Sequence, residues 1–216
     1  MENIETFRSM AALLRARTGQ NVTRLAYVKG IWQLGKDKIE VGGSRWCARP
    51  DWMFCGHVKW WNKQLSDVRV GYVQDGYVPV PRDELGDLDE RQWRDGNRGR
   101  DPWELQWGLP LFNQVSGEDA LYTTNTYGGR DALSALLTAY CDRIETTPND
   151  NAILPVVELD TDKYRHPTRG DDVHIPLFNV VGWAVPPNKP RPPLPKAEPP
   201  RELPAPDPFD ADSIPF

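Results

Sequence analysis

The chain has 216 residues, 26 basic and 31 acidic, with a net charge of −5 and a mean hydropathy of −0.62. This length suits one domain plus a tail, and no run approaches the ~20 apolar residues of a membrane-spanning helix. The opening residues carry charge throughout and lack an apolar signal core, so the expected location is cytoplasmic. Cys47, Cys55 and Cys141 are an odd number at irregular spacing, which fits reduced, buried thiols better than a disulfide framework. Cys47, Cys55 and His57 could be arranged around zinc, but with no paired C-x-x-C the default is no metal and no cofactor.

Ile4, Phe7, Met10, Ala11 and Leu14 recur at helical spacing before Gly19, predicting a short amphipathic helix over 4–17. Strand chemistry follows at 26–34, 38–41 and 45–47, punctuated by Gly30, Gly35 and Gly42-Gly43, and continues at 52–61 and 68–78. Residues 26–80 read as a compact antiparallel meander. Residues 81–90 look like the capped start of a surface helix or turn, with Leu85 and Leu88 as its buried side. Further strands are expected at 103–115 and 121–126. Gly128-Gly129 then open a helix over 130–144 whose core face is Ala132, Leu133, Leu136, Leu137 and Tyr140. Segments 153–159 and 173–185 close the body. The sum is an α+β, mostly β fold, either an antiparallel barrel of the oligonucleotide-binding (OB) type or a meander, with peripheral helices and a disordered proline-rich tail.

Nine tryptophans lie between Trp32 and Trp183, and several sit beside bases. Trp46 follows Arg45, Trp60 and Trp61 stand between Lys59 and Lys63, and Trp93 lies between Arg91 and Arg94. Each pairing sets a stacking surface next to a phosphate partner, the combination by which proteins hold single strands without reading sequence. Residues 91–100 carry Arg91, Arg94, Arg98 and Arg100 around two glycines and read as an exposed, flexible basic loop. The competing reading pairs these arginines with Asp83, Glu84, Asp87, Asp89 and Glu90 just upstream. Trp32, Trp103 and Trp183 are the tryptophans expected in the core. A helix N-terminus beside Arg130 could meet a phosphate. No nucleotide-binding signature accompanies it, so a tight strand-to-helix turn is preferred, and no catalytic centre can be assembled.

Residues 186–216 hold 12 of the 21 prolines and almost nothing that could form a core. They divide into a proline-rich linker, 186–206, expected as a polyproline II spacer, and an acidic tip, 207–216. Pro190, Pro192, Pro193 and Pro195 also give P-x-x-P spacings of the kind proline-rich linkers produce by chance. The tip carries Asp207, Asp210 and Asp212 and finishes on Ile214-Pro215-Phe216. A terminal Phe offers a ring and a carboxylate to one pocket, Pro215 lowers the entropy lost on docking, and the aspartates speed encounter with a basic partner. This ending resembles the acidic tip of bacterial single-stranded DNA-binding proteins, and the match covers the linker-plus-tip plan only.

The resemblance implies a non-enzymatic binder of single-stranded DNA, bacterial and possibly phage-encoded, whose tip recruits replication, recombination or repair enzymes. The expected DNA residues on the 1–185 body are Trp46, Lys59, Trp60, Trp61, Lys63, Trp93, Arg94, Arg98 and Arg100. The expected partner-binding residues are Asp210, Asp212, Ile214, Pro215 and Phe216. Two other classes share the tip: an adaptor or decoy that occupies tail-binding pockets without touching DNA, and an enzyme of DNA metabolism docked through it. A homo-oligomer is compatible with each.

Overall fold

The computed structural model describes residues 22–62, 64–165, 168 and 170–196. The helix expected over 4–17, Lys63 and the tip lie outside the described residues. The strands are β1 (Thr23–Val28), β2 (Ile31–Leu34), β3 (Ile39–Glu40), β4 (Arg45–Ala48), β5 (Phe54–Trp61), β6 (Gln64–Tyr72), β7 (Trp103–Phe112), β8 (Asp119–Thr124), β9 (Leu154–Arg165) and β10 (Asp172–Ala184). Helix α1 (Glu90–Asn97) precedes β7, and α2 (Tyr127–Thr146) lies between β8 and β9. The fold is α+β and mostly β.

All ten strands join one sheet in the order β10-β9-β4-β7-β8-β1-β2-β3, with β5 and β6 branching from β7. Strands β4 and β5 act as one long interrupted strand along a single edge of β7. Cys47 and Ala48 pair with Phe112 and Leu111, and Phe54 through Lys59 then pair with Gly108 through Trp103. The interruption is a 3-10 turn, Pro50–Trp52, where the Arg49 guanidinium grips Asp51 at 2.8 and 2.5 Å and lies 3.3 Å from the Trp52 ring centroid. After α2 the chain returns and β9 pairs with β4, through Arg45↔Glu158 to Cys47↔Val156. The spatial order β9, β4/β5, β7, β8 is a Greek key.

The meander expected over 26–80 is therefore corrected. Only its hairpins are local. β1 turns into β2 at Lys29-Gly30, both at positive φ (52° and 86°), and then runs parallel to β8, with Leu25 beside Tyr122. Glycine turns fix hairpins, but the partner of each hairpin is chosen by which faces bury together.

The sheet curls until β2 meets β9 and β1 meets β10. Side chains close this seam: the Trp32 indole donates to the Asp160 carbonyl at 2.7 Å, the Thr161 hydroxyl to the Gly30 carbonyl at 3.0 Å, and the Tyr27 hydroxyl to the Ile175 carbonyl at 2.9 Å. Inside, Trp32 is ringed by Tyr27, Tyr122 and Phe178 at centroid separations of 5.1, 5.2 and 5.3 Å, all tilted or edge-on as aromatic quadrupoles prefer. Leu25, Leu109, Leu111, Val157 and Leu159 fill the space around them.

Helix α2 covers one end of this core. Ala132, Leu133 and Leu136 are buried as their spacing predicts. Its start is capped by Thr126, whose hydroxyl accepts the Gly129 N–H at 3.1 Å. A side chain at 129 would overlap Thr124 Oγ1 and approach Tyr122 Oη to 2.8 Å, so glycine is what lets the first turn seat on β8. The tight strand-to-helix turn expected here is what forms.

Beyond β10, residues 186–196 lie along the body rather than away from it. Lys189 reaches Asp119 at 3.2 Å and the Phe112 ring at 5.8 Å. Arg191 makes a two-pronged contact with Asp75 at 2.9 and 3.0 Å and lies 4.1 Å from the Tyr72 ring centroid, while the Tyr72 hydroxyl donates to the Pro192 carbonyl. The first part of the expected spacer is a strap across the ends of β7, β8 and β6.

Candidate nucleic-acid interface

Strand β5 pairs with β7 through Lys59 and with β6 along its whole length, so the start of β7, β5 and β6 form a three-stranded wing whose β5–β6 hairpin extends past Lys59. Its register, shifted between Lys59 and Trp60, sets Trp60 opposite Leu65 and Trp61 opposite Gln64 at the hairpin end. The chain then crosses beneath the wing through a 3-10 turn at Arg82–Leu85 and α1 before entering β7 at Trp103. Lys59 and Trp103 face each other across the β5–β7 pair, so the start of β7, the end of β5 and the crossing segment meet in one place.

The group that gathers them is Asp87. Its Oδ2 lies 2.8 Å from Lys59 Nζ and accepts the Trp103 indole N–H at 3.0 Å. Its backbone carbonyl accepts the Trp93 indole N–H at 2.8 Å and an N–H of Arg82 at 3.2 Å. The Lys59 hydrogen bond holds the Asp87 carboxyl below its ordinary pKa despite partial burial. Lys59 lies 5.8 Å from the Trp61 ring and 5.9 Å from the Trp103 ring, and Arg69 stands 5.0 Å from Trp103. A second ion pair joins Arg82 to Asp101 at 2.7 and 2.8 Å. Burial opposes ionisation of Asp101, but the hydrogen bonds from Arg82 and the Trp103 amide outweigh it and keep its pKa low. Between these groups and β7, His57 is buried, and burial followed by the Arg82 charge lowers its pKa, favouring neutral imidazole.

Residues 91–98, expected as part of a flexible loop, are helical up to Asn97. Asp89 caps α1 by accepting the Arg91 N–H at 3.0 Å, and Arg98 closes it in the left-handed conformation at φ 56°. The glycines and arginines masked this helix, because its stability rests on the cap and on Trp93 being tied to Asp87. Leu85 is buried as expected, whereas Leu88 is 58% exposed, since the 3-10 turn ends at Leu85 and the chain swings outward at Asp87 with φ 55°.

Of the nine residues expected to contact DNA, Lys59, Trp61 and Trp93 come together around Asp87, Trp60 follows Lys59 on β5 with its side chain on the opposite face of the strand, and all three tryptophans are half-buried. Arg94 lies on α1, and Arg98 and Arg100 follow it with exposed side chains. Trp46 is corrected: it is 2% exposed inside the curled sheet, with its indole N–H on Ser44 Oγ at 2.8 Å, and no base can stack on it. The alternation of β4 explains this, since Trp46 and Ala48 face the core while Arg45 at the strand start points to Glu158 at 3.2 Å. Trp32 and Trp103 are buried as expected, but Trp183 is half-buried with Arg143 at 5.2 Å from its ring.

Asp87 and Arg82 as organising groups were not foreseen. The competing reading set Asp87 among the acids that pair with the arginines of 91–100; Asp87 takes Lys59, whose alternation with Trp61 on one strand is the available signal. Cys47 and Cys55 are buried and burial pushes the Cys47 thiol up to about 12, while Cys141 is exposed. Among the described residues no cluster could hold a metal ion, and no helix is long and apolar enough to cross a membrane. No protein-family model, curated protein or solved structure matches the chain.

Proposed function

We propose that the protein binds single-stranded DNA without strong sequence preference on an OB-like barrel and recruits enzymes of replication, recombination or repair through its acidic tip. The observation that carries this reading is the gathering of Lys59, Trp61 and Trp93 around Asp87, with Trp60 beside them on β5 and Arg98 and Arg100 exposed in the connection that leads to β7. OB barrels are five-stranded, partly open Greek keys that hold oligonucleotides on the face of strands two and three and with the loops joining strands one to two and four to five. Taking β4/β5, β7, β8, β9 and β10 as the five strands, the one-to-two connection is residues 62–102, adjoining or containing every expected DNA residue except Trp46. The four-to-five connection follows Tyr164, which is 46% exposed beside Lys163 and Arg165. The β1–β2 hairpin is an addition beside the third strand.

Titrating the full chain with oligo-dT at low salt, following tryptophan fluorescence against a duplex of equal length, tests the DNA reading. Strong quenching by the single strand, reduced by joint Trp60→Ala and Trp61→Ala substitution, supports it; no response to either nucleic acid overturns it. Deleting the last six residues should abolish capture of partners from a bacterial extract while sparing DNA affinity, and unchanged capture would sink the role of the tip.

A second reading has its own support. Lys59 and Arg82 are already paired with Asp87 and Asp101, and the outer face of β7 carries Glu104, bonded to Asn125 at 3.2 Å. A body so neutralised suits an adaptor that uses the tip alone, and the same titration separates the two.

A further inference from the structure

Among the described residues three strands end the sheet: β3, β10 and, on the wing, β6. An edge strand offers unpaired backbone groups to any other edge, and proteins blunt such edges by shortness, proline, bulges or cover. Two of the three are blunted. β3 has two residues. β10 contains Pro176 and an unpaired Val181 at its register shift, and its Ile175 carbonyl is taken by the Tyr27 hydroxyl.

β6 is different. It runs nine residues, Gln64–Tyr72, without proline, and among the described residues it pairs only with β5. The Val68 N–H donates to the carboxylate of its own neighbour, Asp67 Oδ1, at 2.7 Å, as a backbone donor does when it faces away from its sheet partner. Asp67 also reaches Arg69 at 3.4 Å, and both side chains are 43% exposed.

We propose that β6 is the contact strand of a symmetric dimer of this chain, formed by antiparallel β6–β6 pairing about Val68. The sequence is self-complementary in that register. A two-fold axis through Val68 sets Asp67 of each copy opposite Arg69 of the other, so the two ion pairs become a square of alternating charges on one face. On the other face Val68 meets Val68 and each Val70 meets Ser66. The Val68 N–H exchanges its carboxylate for the carbonyl of Val68 in the second copy, and Asp67 is released to the facing Arg69. An isologous contact of this kind uses one patch twice and closes on itself. The proposal does not depend on DNA binding.

Analytical ultracentrifugation of the full chain, from micromolar to submillimolar concentration without nucleic acid, tests it. The wild type should dimerise. Asp67→Arg and Arg69→Asp each place like charges opposite each other twice, and each should weaken the dimer on the order of tenfold or more. Mixing these two variants restores opposite charges at both positions and should return a heterodimer at the wild-type level, as should the double exchange D67R/R69D on one chain. A wild type that stays monomeric across the range overturns the proposal. So does a dimer whose dissociation is unchanged by either reversal. If a single variant fails to fold, as judged by circular dichroism, the double exchange decides: a dimer supports the pairing and a folded monomer refutes it.

Discussion

Replacing Asp87 with Asn tests whether this one carboxylate organises the wing. Asn keeps the shape, tolerates the positive φ of 55° at this position and still accepts the Trp103 indole N–H, so the change isolates charge. The Lys59–Asp87 pair is partly exposed, with side-chain accessibilities of 23% and 33%, so solvent screening limits its worth to about 1 kcal/mol or less. The indole bond falls from charge-assisted to neutral, a loss of about another 1 kcal/mol. The total, about 1–2 kcal/mol, corresponds to a drop in Tm of roughly 3–6 °C for a domain of this size. The pH dependence has a definite sign. Because the folded pKa of Asp87 is depressed, its stabilisation is fully present above the unfolded carboxylate value of about 3.9 and is lost as pH falls through the lower folded value. Thermal melts of both proteins at neutral pH and in acid should therefore show a gap that closes below about pH 4. A neutral-pH gap within the ~0.5 kcal/mol of an ordinary surface substitution, or a gap undiminished in acid, would refute the role assigned to Asp87. In the DNA reading the same variant frees Lys59, and the salt dependence of oligo-dT binding should steepen by about 0.7 in log–log slope for one added phosphate contact.

Gly129→Ala should destabilise the fold by about 1–3 kcal/mol in urea melts, because its methyl overlaps Thr124 Oγ1, whereas Gly42→Ala, with nothing within 4 Å, should fall within about 0.5 kcal/mol of wild type. Trp46→Ala should cost about 3–5 kcal/mol of stability and leave the DNA affinity of the folded fraction unchanged, and a clear loss of affinity without loss of stability would return Trp46 to the binding surface. Iodoacetamide at mildly alkaline pH should modify Cys141 in the native chain and reach Cys47 and Cys55 only after unfolding, read by intact-mass spectrometry; rapid native labelling of Cys47 would contradict its burial.

Local features were legible where a residue type answers to one cause. The Lys29-Gly30 turn, the α2 face of Ala132, Leu133 and Leu136, and the strands around Trp52 to Trp61 follow from turn chemistry and period. What escaped depends on contacts far apart in sequence. Nothing near Leu25 announces that β1 will lie parallel to β8, since that pairing comes from burying Leu25 and Tyr122 together. The same holds for tryptophan. Trp46 and Trp60 both adjoin a base, and only their places in the fold, one strand in the middle of the curled sheet and the other at the end of a wing, separate a core ring from a half-buried one. Helix α1 was hidden because its anchor, the Trp93 bond to the Asp87 carbonyl, spans six residues of irregular chain.

The strap formed by Lys189 and Arg191 bears on how far the proposed recruiting tip could reach. Residues 186–216 comprise 31 positions, of which 186–196 are laid on the body, so a partner recruited by the proposed tip would be reached through at most the 20 positions from 197 to 216. At about 3.1 Å per residue for a proline-rich chain, the available contour is roughly 60 Å rather than the ~95 Å of the whole tail. A shorter tether confines its end to a smaller sphere, so in the proposed recruitment reading the strap would raise the effective concentration of a tip-bound enzyme beside the body. The latch is made of partly exposed ion pairs, so rising salt should loosen Lys189 and Arg191 from the body and let the proposed tether start at the end of β10.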